Sequence, residues 1–186
     1  MKKSIILLAS GLFLLVGSAS VYAEKAPQNV VDLGNTTLAG IGSNPVIVKA
    51  VQDQNNQRKT LDQIKKQDDL WKATPGIDGN MKAMLDSECS QYLLSILETE
   101  EFYAEIFVMD NKGANVCMTD KTSDYWQGDE AKFKNSYAGG SGAVFVDDVE
   151  FDESTQAYLA QVSVPVKDNG KVIGAITFGV DIDKIQ

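Results

Sequence analysis

The sequence predicts an α+β domain, with helices leading into an antiparallel sheet of about five strands. Three observations carry this. Apolar residues recur at three- and four-residue spacing up to Leu97, they alternate at a spacing of two from Ala104 onward, and tight-turn residues such as Asp168-Asn169-Gly170 punctuate the second half. A period near 3.6 marks a helix with one apolar face, and a period of two marks a strand. Strands joined by short turns pair antiparallel, and their apolar face needs helices to cover it.

In chain order, Lys2 and Lys3 precede an apolar run from Ile5 to Val16, and small residues then lead to Val21-Tyr22-Ala23. That is the anatomy of a secretory signal peptide over residues 1–23, and the run is shorter than the about 20 residues a membrane span needs. Export to the periplasm with cleavage before Glu24 is the expectation. Residues 24–40 read as a polar, irregular leader, and residues 41–186 as a single domain. Ser43-Asn44-Pro45 is a helix start, with a capping side chain and then proline where its missing N–H costs nothing. The helix is expected from Pro45 to about Trp71. Its middle, Gln52 to Thr60, has no apolar side chain, so it should lie across the domain or project from it as a dimerisation element. Met81, Met84, Leu85, Cys89, Tyr92, Leu93, Ile96 and Leu97 form the apolar face of a second helix. Strands follow over 104–109, 115–119, 143–152, 156–167 and 171–182, with a short helix over 129–138 between the second and third. Pro165 cannot donate to a ladder, which places that part of its strand at an edge or bulge.

Composition removes several function classes. The chain carries a formal charge of −9, and loss of Lys2 and Lys3 makes it about −11. A body this acidic repels nucleic acid and anionic lipid, leaving small molecules, cations and proteins as partners. Histidine is absent. The commonest general base and transition-metal ligand are therefore missing, no nucleophile–base pair can be assembled, and the reading is a non-enzyme without cofactor. Cys89 and Cys117 are the two cysteines. A disulfide and two buried thiols are both open to them.

Three segments carry a family resemblance: Phe107 to Gly113 (FVMDNKG), Thr119 to Gly128 (TDKTSDYWQG), and Val164-Pro165-Val166 with its turn into Gly170 to Asp181 (GKVIGAITFGVD). In this order, after a long N-terminal helix, they resemble a single Cache domain, the extracytoplasmic PAS-like sensor family, over roughly residues 40 to 186. The resemblance implies a small organic ligand held between one sheet face and the segment joining the second and third strands. It also implies signalling. With no second membrane helix and no output domain in the sequence, the signal is expected to pass to a separate membrane receptor or kinase.

Tyr125 and Trp126 are the leading ligand-binding candidates, because aromatics on an irregular connection offer flat apolar walls with polar edges. Family members that bind amino acids or carboxylates place an arginine shortly before this pair; here Ser123 stands there, and the chain's one arginine is Arg58. Lys121 is the expected substitute, with Lys132 and backbone N–H groups as alternatives. The resemblance gives Asp181 a place beside a ligand amine, and Tyr158 can lend a hydroxyl. Two rival readings stand beside the sensor. One is a ligand-free protein–protein adaptor whose pocket is filled by Tyr125 and Trp126. The other is a divalent-cation sensor built on Asp147, Asp148, Glu150, Asp152 and Glu153, although their spacing is not that of a calcium loop and a solvated strand face is the better account of those carboxylates.

Overall fold

The computed structural model describes residues 24–153 and 155–185; the expected signal peptide lies outside them. Five strands, β1 (Tyr103–Met109), β2 (Asn115–Met118), β3 (Phe145–Asp152), β4 (Ala157–Asp168) and β5 (Lys171–Asp181), form one antiparallel sheet in the order β2-β1-β5-β4-β3. This is the expected α+β class. The turn into β5 is the two-residue loop at Asn169 and Gly170, both at positive φ, a conformation that matches the twist of a tight hairpin. Pro165 pairs with Ala175 on β5, whereas β3 reaches only to Ser163, so the proline's donor-less side meets no strand. There Lys167 N–H instead donates to the Gly42 carbonyl at 2.9 Å.

Both sheet faces are covered. One carries Ile106, Val108, Val162, Val164, Ile176 and Phe178, and the other carries Phe107, Met109 and Ala175. Residues 24–40 are not the irregular leader expected. They fold as α1 (Gln28–Leu33), a π-helical turn (Gly34–Leu38) and the start of α2 (Ala39–Ile41), and they place Val30 and Leu38 fully inside the first core. The π turn widens the helical repeat, so the apolar spacing there fits no single period. Gly34 lets this segment touch the sheet: a Cβ on it would lie 2.9 Å from a Val162 methyl.

The helix expected from Pro45 to Trp71 is two helices, α3 (Pro45–Asn56) and α4 (Leu61–Ala73), separated by Arg58 at φ +52°. Asn44 caps α3 as anticipated, accepting from Val46 N–H at 2.9 Å, and Thr60 with Gln63 forms a reciprocal capping box on α4. The break has a cause. Ile47 and Val51 of α3 belong to the core on one sheet face, and Ile64 and Trp71 of α4 to the core on the other. The polar middle does not project. Gln54 donates to Asp110 and to the Asn115 carbonyl, Asn55 bridges the Ile173 carbonyl and Asn111 N–H, and Gln52 donates to Asp168. These side chains serve the hairpin turns at one end of the sheet while the chain crosses from face to face.

The second expected helix divides in the same way into α5 (Gly79–Leu85) and α6 (Glu88–Leu97), with Ser87 capping the latter. Met81 joins one core, and Cys89 and Leu93 join the other. Cys89 and Cys117 form a disulfide with Cα atoms 5.8 Å apart, which settles the alternative left open by the sequence and ties α6 to β2. The short helix between β2 and β3 is α7 (Ala131–Tyr137). No helix among the described residues is long and apolar enough to cross a membrane.

Candidate functional site

A cavity of about 490 Å³ opens between the sheet face carrying Phe107 and the elements laid over it, α4, α7 and the segment 119–130. Glu105 and Phe107 of β1 and Gln161 of β4 form its floor, Trp71 of α4 and Lys121 one wall, and Lys132 of α7 another. Strand alternation puts Glu105 and Phe107 on one face while Ile106 and Val108 enter the opposite core. Gly179 of β5 lies opposite Glu105 in register. A Cβ at that glycine would sit 2.6 Å from the glutamate Cγ, so its absence makes room for the acid. Deeper in the sheet, the buried Ser163 and Thr177 hydroxyls satisfy one another at 2.8 Å.

Glu105 is half-buried, and its Oε1 accepts from the Gln161 amide at 3.2 Å. Burial pushes its carboxyl above the usual range, the Lys132 charge opposes that, and Asp152 adds to it. The same low-dielectric setting that disfavours a lone carboxylate strengthens its attraction for a cation. Two lysines stand over the aromatic walls: Lys121 Nζ is 6.0 Å from the Trp71 ring centroid, and Lys132 Nζ is 5.6 Å from that of Phe107.

Backbone and side-chain bonds together hold the segment 119–130: Asn115 N–H donates to the Tyr125 carbonyl at 2.9 Å and Gln127 N–H to the Gly113 carbonyl at 2.7 Å. Asp68 of α4, 5% exposed, accepts the Tyr125 and Trp126 N–H groups at 2.9 and 3.1 Å. Lys72 bridges Asp68 at 2.7 Å and Asp124 at 2.6 Å. Hydrogen bonds to Asp124 and then Asp68 raise the Lys72 ammonium above its usual value. Burial works against ionisation of Asp124, but the bonds from Lys72 and Ser123 outweigh it and hold that carboxyl below its ordinary value. Trp71 Nε1–H donates to the Thr122 carbonyl at 2.7 Å, and Asn115 donates to the Thr122 hydroxyl and the Asp124 carbonyl.

Of the residues singled out in the sequence, Lys121 lines the cavity, with its ammonium donating to the Thr74 and Gly76 carbonyls at 2.8 and 2.9 Å. Tyr125 and Trp126 do not line it. The Tyr125 ring is buried, 5.7 Å from Trp71, where desolvation pushes its hydroxyl up to about 12 with a smaller contribution from Asp110. Trp126 donates to the Lys112 carbonyl at 2.8 Å and lies beneath the Lys65 ammonium. With Asp68 holding both backbone N–H groups, the pair forms the outer brace of the segment. Tyr158 is 51% exposed at the start of β4, against Phe151, and shares a face with Ala160 and Val162 rather than with Gln161. Asp181 is buried, its carboxylate taken by Lys184 at 2.8 Å and Asp183 N–H at 3.1 Å. Neither lines the cavity.

Glu105, Gln161, Trp71 and Phe107 were not singled out. Glu105 did carry a signal, as the one charged residue within the apolar strand Tyr103–Met109. In the acidic strand, Asp148 pairs with Lys25 at 2.7 Å, and among the described residues no three histidine, cysteine or carboxylate side chains converge as a metal site.

No family model matches this chain, and no curated protein matches it. Solved structures do. The V. cholerae histidine kinase DctB sensor domain aligns with 84% of the chain and 51% of its own length, at 14% identity and a TM-score of 0.53. The extracellular domain of the putative histidine kinase vpHK1S-Z8 aligns with 84% and 52%, at 11% identity and a TM-score of 0.49. The ligand-binding domain of the Campylobacter jejuni chemoreceptor Tlp3, in complex with 4-methylisoleucine, aligns with 83% and 57%, at 13% identity and a TM-score of 0.42. The chain thus spans about half the length of these structures. The strand order, the helices on both faces and the similarity to the DctB sensor domain lead to one conclusion: the chain has the Cache-type fold of extracytoplasmic sensor domains.

Proposed function

We propose that this protein is a periplasmic ligand-binding sensor module that takes a small organic molecule and reports to a separate membrane receptor or kinase. The observation that carries this reading is the cavity of about 490 Å³, lined by two aromatic rings and by convergent polar groups from α4, β1, β4 and α7. Small-molecule sites run from about 300 to 1,000 Å³ and combine apolar walls with a few placed polar groups. Tyr125 and Trp126, which an adaptor would use to fill the space, are packed outside it. A ligand that contacts Trp71 and Lys132 together favours one packing of α4 and α7 over another.

The test is thermal unfolding of the protein, expressed with its own export signal, against organic acids, amino acids, amines, purines and divalent cations. A ligand at 100 times its Kd adds about 2.7 kcal/mol, which for a chain of this size raises Tm by about 5–10 °C. Stabilisation that disappears in Gln161→Ala places the ligand in this cavity. Silence across the panel, in protein free of co-purifying ligand, sinks the sensor reading in favour of the adaptor.

A further inference from the structure

We propose that the ligand of this cavity is a small protonated amine, and that Lys132 is a built-in competitor whose ammonium the ligand displaces. This rests on the ligand-binding reading above. Three lysines line the cavity, and they are not equivalent. Lys72 is committed to Asp68 and Asp124, and Lys121 to two backbone carbonyls at the end of α4. Lys132 instead stands over Phe107 at 5.6 Å and acts on the half-buried Glu105. An ammonium over an aromatic face beside a partly desolvated carboxylate is what a protonated amine would itself provide, since ring quadrupole and charge both attract it.

The charge around the cavity points the same way. Counting the lining and its direct ion-pair partners, Glu105, Asp152, Glu153, Asp68 and Asp124 face Lys72, Lys121 and Lys132. The excess is negative, and no arginine is present to clamp a carboxylate, because Arg58 lies in the link between α3 and α4. An anionic ligand would have to overcome that field, and a cationic one is drawn in by it. The Gln161 amide donates to Oε1 alone, leaving acceptor capacity on the carboxylate for a second donor. Because Lys132 sits on α7, its displacement moves a charge on an element that packs on β3, β4 and β5, which gives binding a mechanical consequence.

The experiment is calorimetric titration at pH 7.5 with n-butylamine and putrescine as cationic probes and butyrate and succinate as matched anions. Wild type, Lys132→Met and Glu105→Gln are compared, each first shown to unfold cooperatively. Methionine keeps an apolar stem over Phe107 and removes the competing charge. The expected result is amine binding that tightens about fivefold in Lys132→Met and weakens about tenfold or more in Glu105→Gln, with no anion binding. Should Glu105→Gln not fold, the Lys132→Met comparison decides, since that side chain is only half-buried. Anion binding that weakens in Lys132→Met overturns the amine assignment and leaves the ligand-binding reading intact. No binding of amine or anion also overturns the amine assignment, and only silence in the wider thermal panel removes the sensor reading with it.

Discussion

The carboxylate of Asp68 receives the N–H groups of Tyr125 and Trp126 and the ammonium of Lys72, all at 3.1 Å or less. Truncating it leaves the buried Tyr125 N–H without its acceptor and Lys72 with a single partner. Asp68→Ala should therefore cost about 1–3 kcal/mol, the scale of a stranded buried donor, with little added by the lost ion pair because the Lys72 side chain is 51% exposed. Urea unfolding reads this directly. A loss below about 1 kcal/mol would mean that segment 119–130 is held by other contacts. Asp68→Asn keeps an acceptor oxygen and should fall between the two. None of these atoms need touch a ligand, yet they set the position of Thr122 and Ser123, which do line the cavity. Glu105 is different: its environment disfavours its own charge, which suits a group whose partner arrives from outside.

Elements here are joined by few but strong links. The disulfide between α6 and β2 closes a loop with 28 residues of sequence separation. The chain-entropy relation for a loop of that length gives about 3.6 kcal/mol. The Cys89→Ser, Cys117→Ser double variant should accordingly melt about 7–14 °C lower than wild type. A Tm unchanged by the double substitution would show that the unfolded chain is already restricted without the bridge. Helices α3 and α4 illustrate another kind of link. The carboxamides of Gln52, Gln54 and Asn55 satisfy hairpin-turn groups, so a stretch with no apolar side chain is nevertheless fastened to the sheet.

At the scale of the whole molecule, the sheet separates two cores, and the N-terminal helices close one while α4, α5 and α7 frame the other with its cavity. Val30 and Leu38 are both fully buried. Side chains of this size contribute about 1.5–3 kcal/mol each on burial. A chain shortened to begin at Ser43 should then lose about 3–6 kcal/mol, a large share of the 5–15 kcal/mol typical of a domain. Comparing the thermal midpoints and cooperativity of the two chains checks this. Equal midpoints would mean that residues 24–42 only decorate the fold.

What the sequence determined by itself was local in origin. The change of period at Ala104, the Asp168-Asn169-Gly170 turn, the Asn44 cap and the edge position of Pro165 all follow from backbone geometry and nearest neighbours, and all appear in the structure. Periodicity says that a helix or strand has an apolar side, but not which of two cores that side enters. For that reason periodicity predicts two continuous helices, although each breaks where the chain passes to the other sheet face. The candidate site shows the same division. Tyr125 and Trp126 were conspicuous by residue type, whereas Trp71, Glu105, Lys132 and Gln161 are scattered along the chain and meet only through the strand register and the crossing of α4. Tyr125 and Trp126 brace the cavity rather than line it because their N–H groups reach Asp68, 57 and 58 residues away, while the Tyr125 carbonyl accepts from Asn115 N–H. Contacts at that separation are decided by packing, and no local pattern in the sequence encodes them.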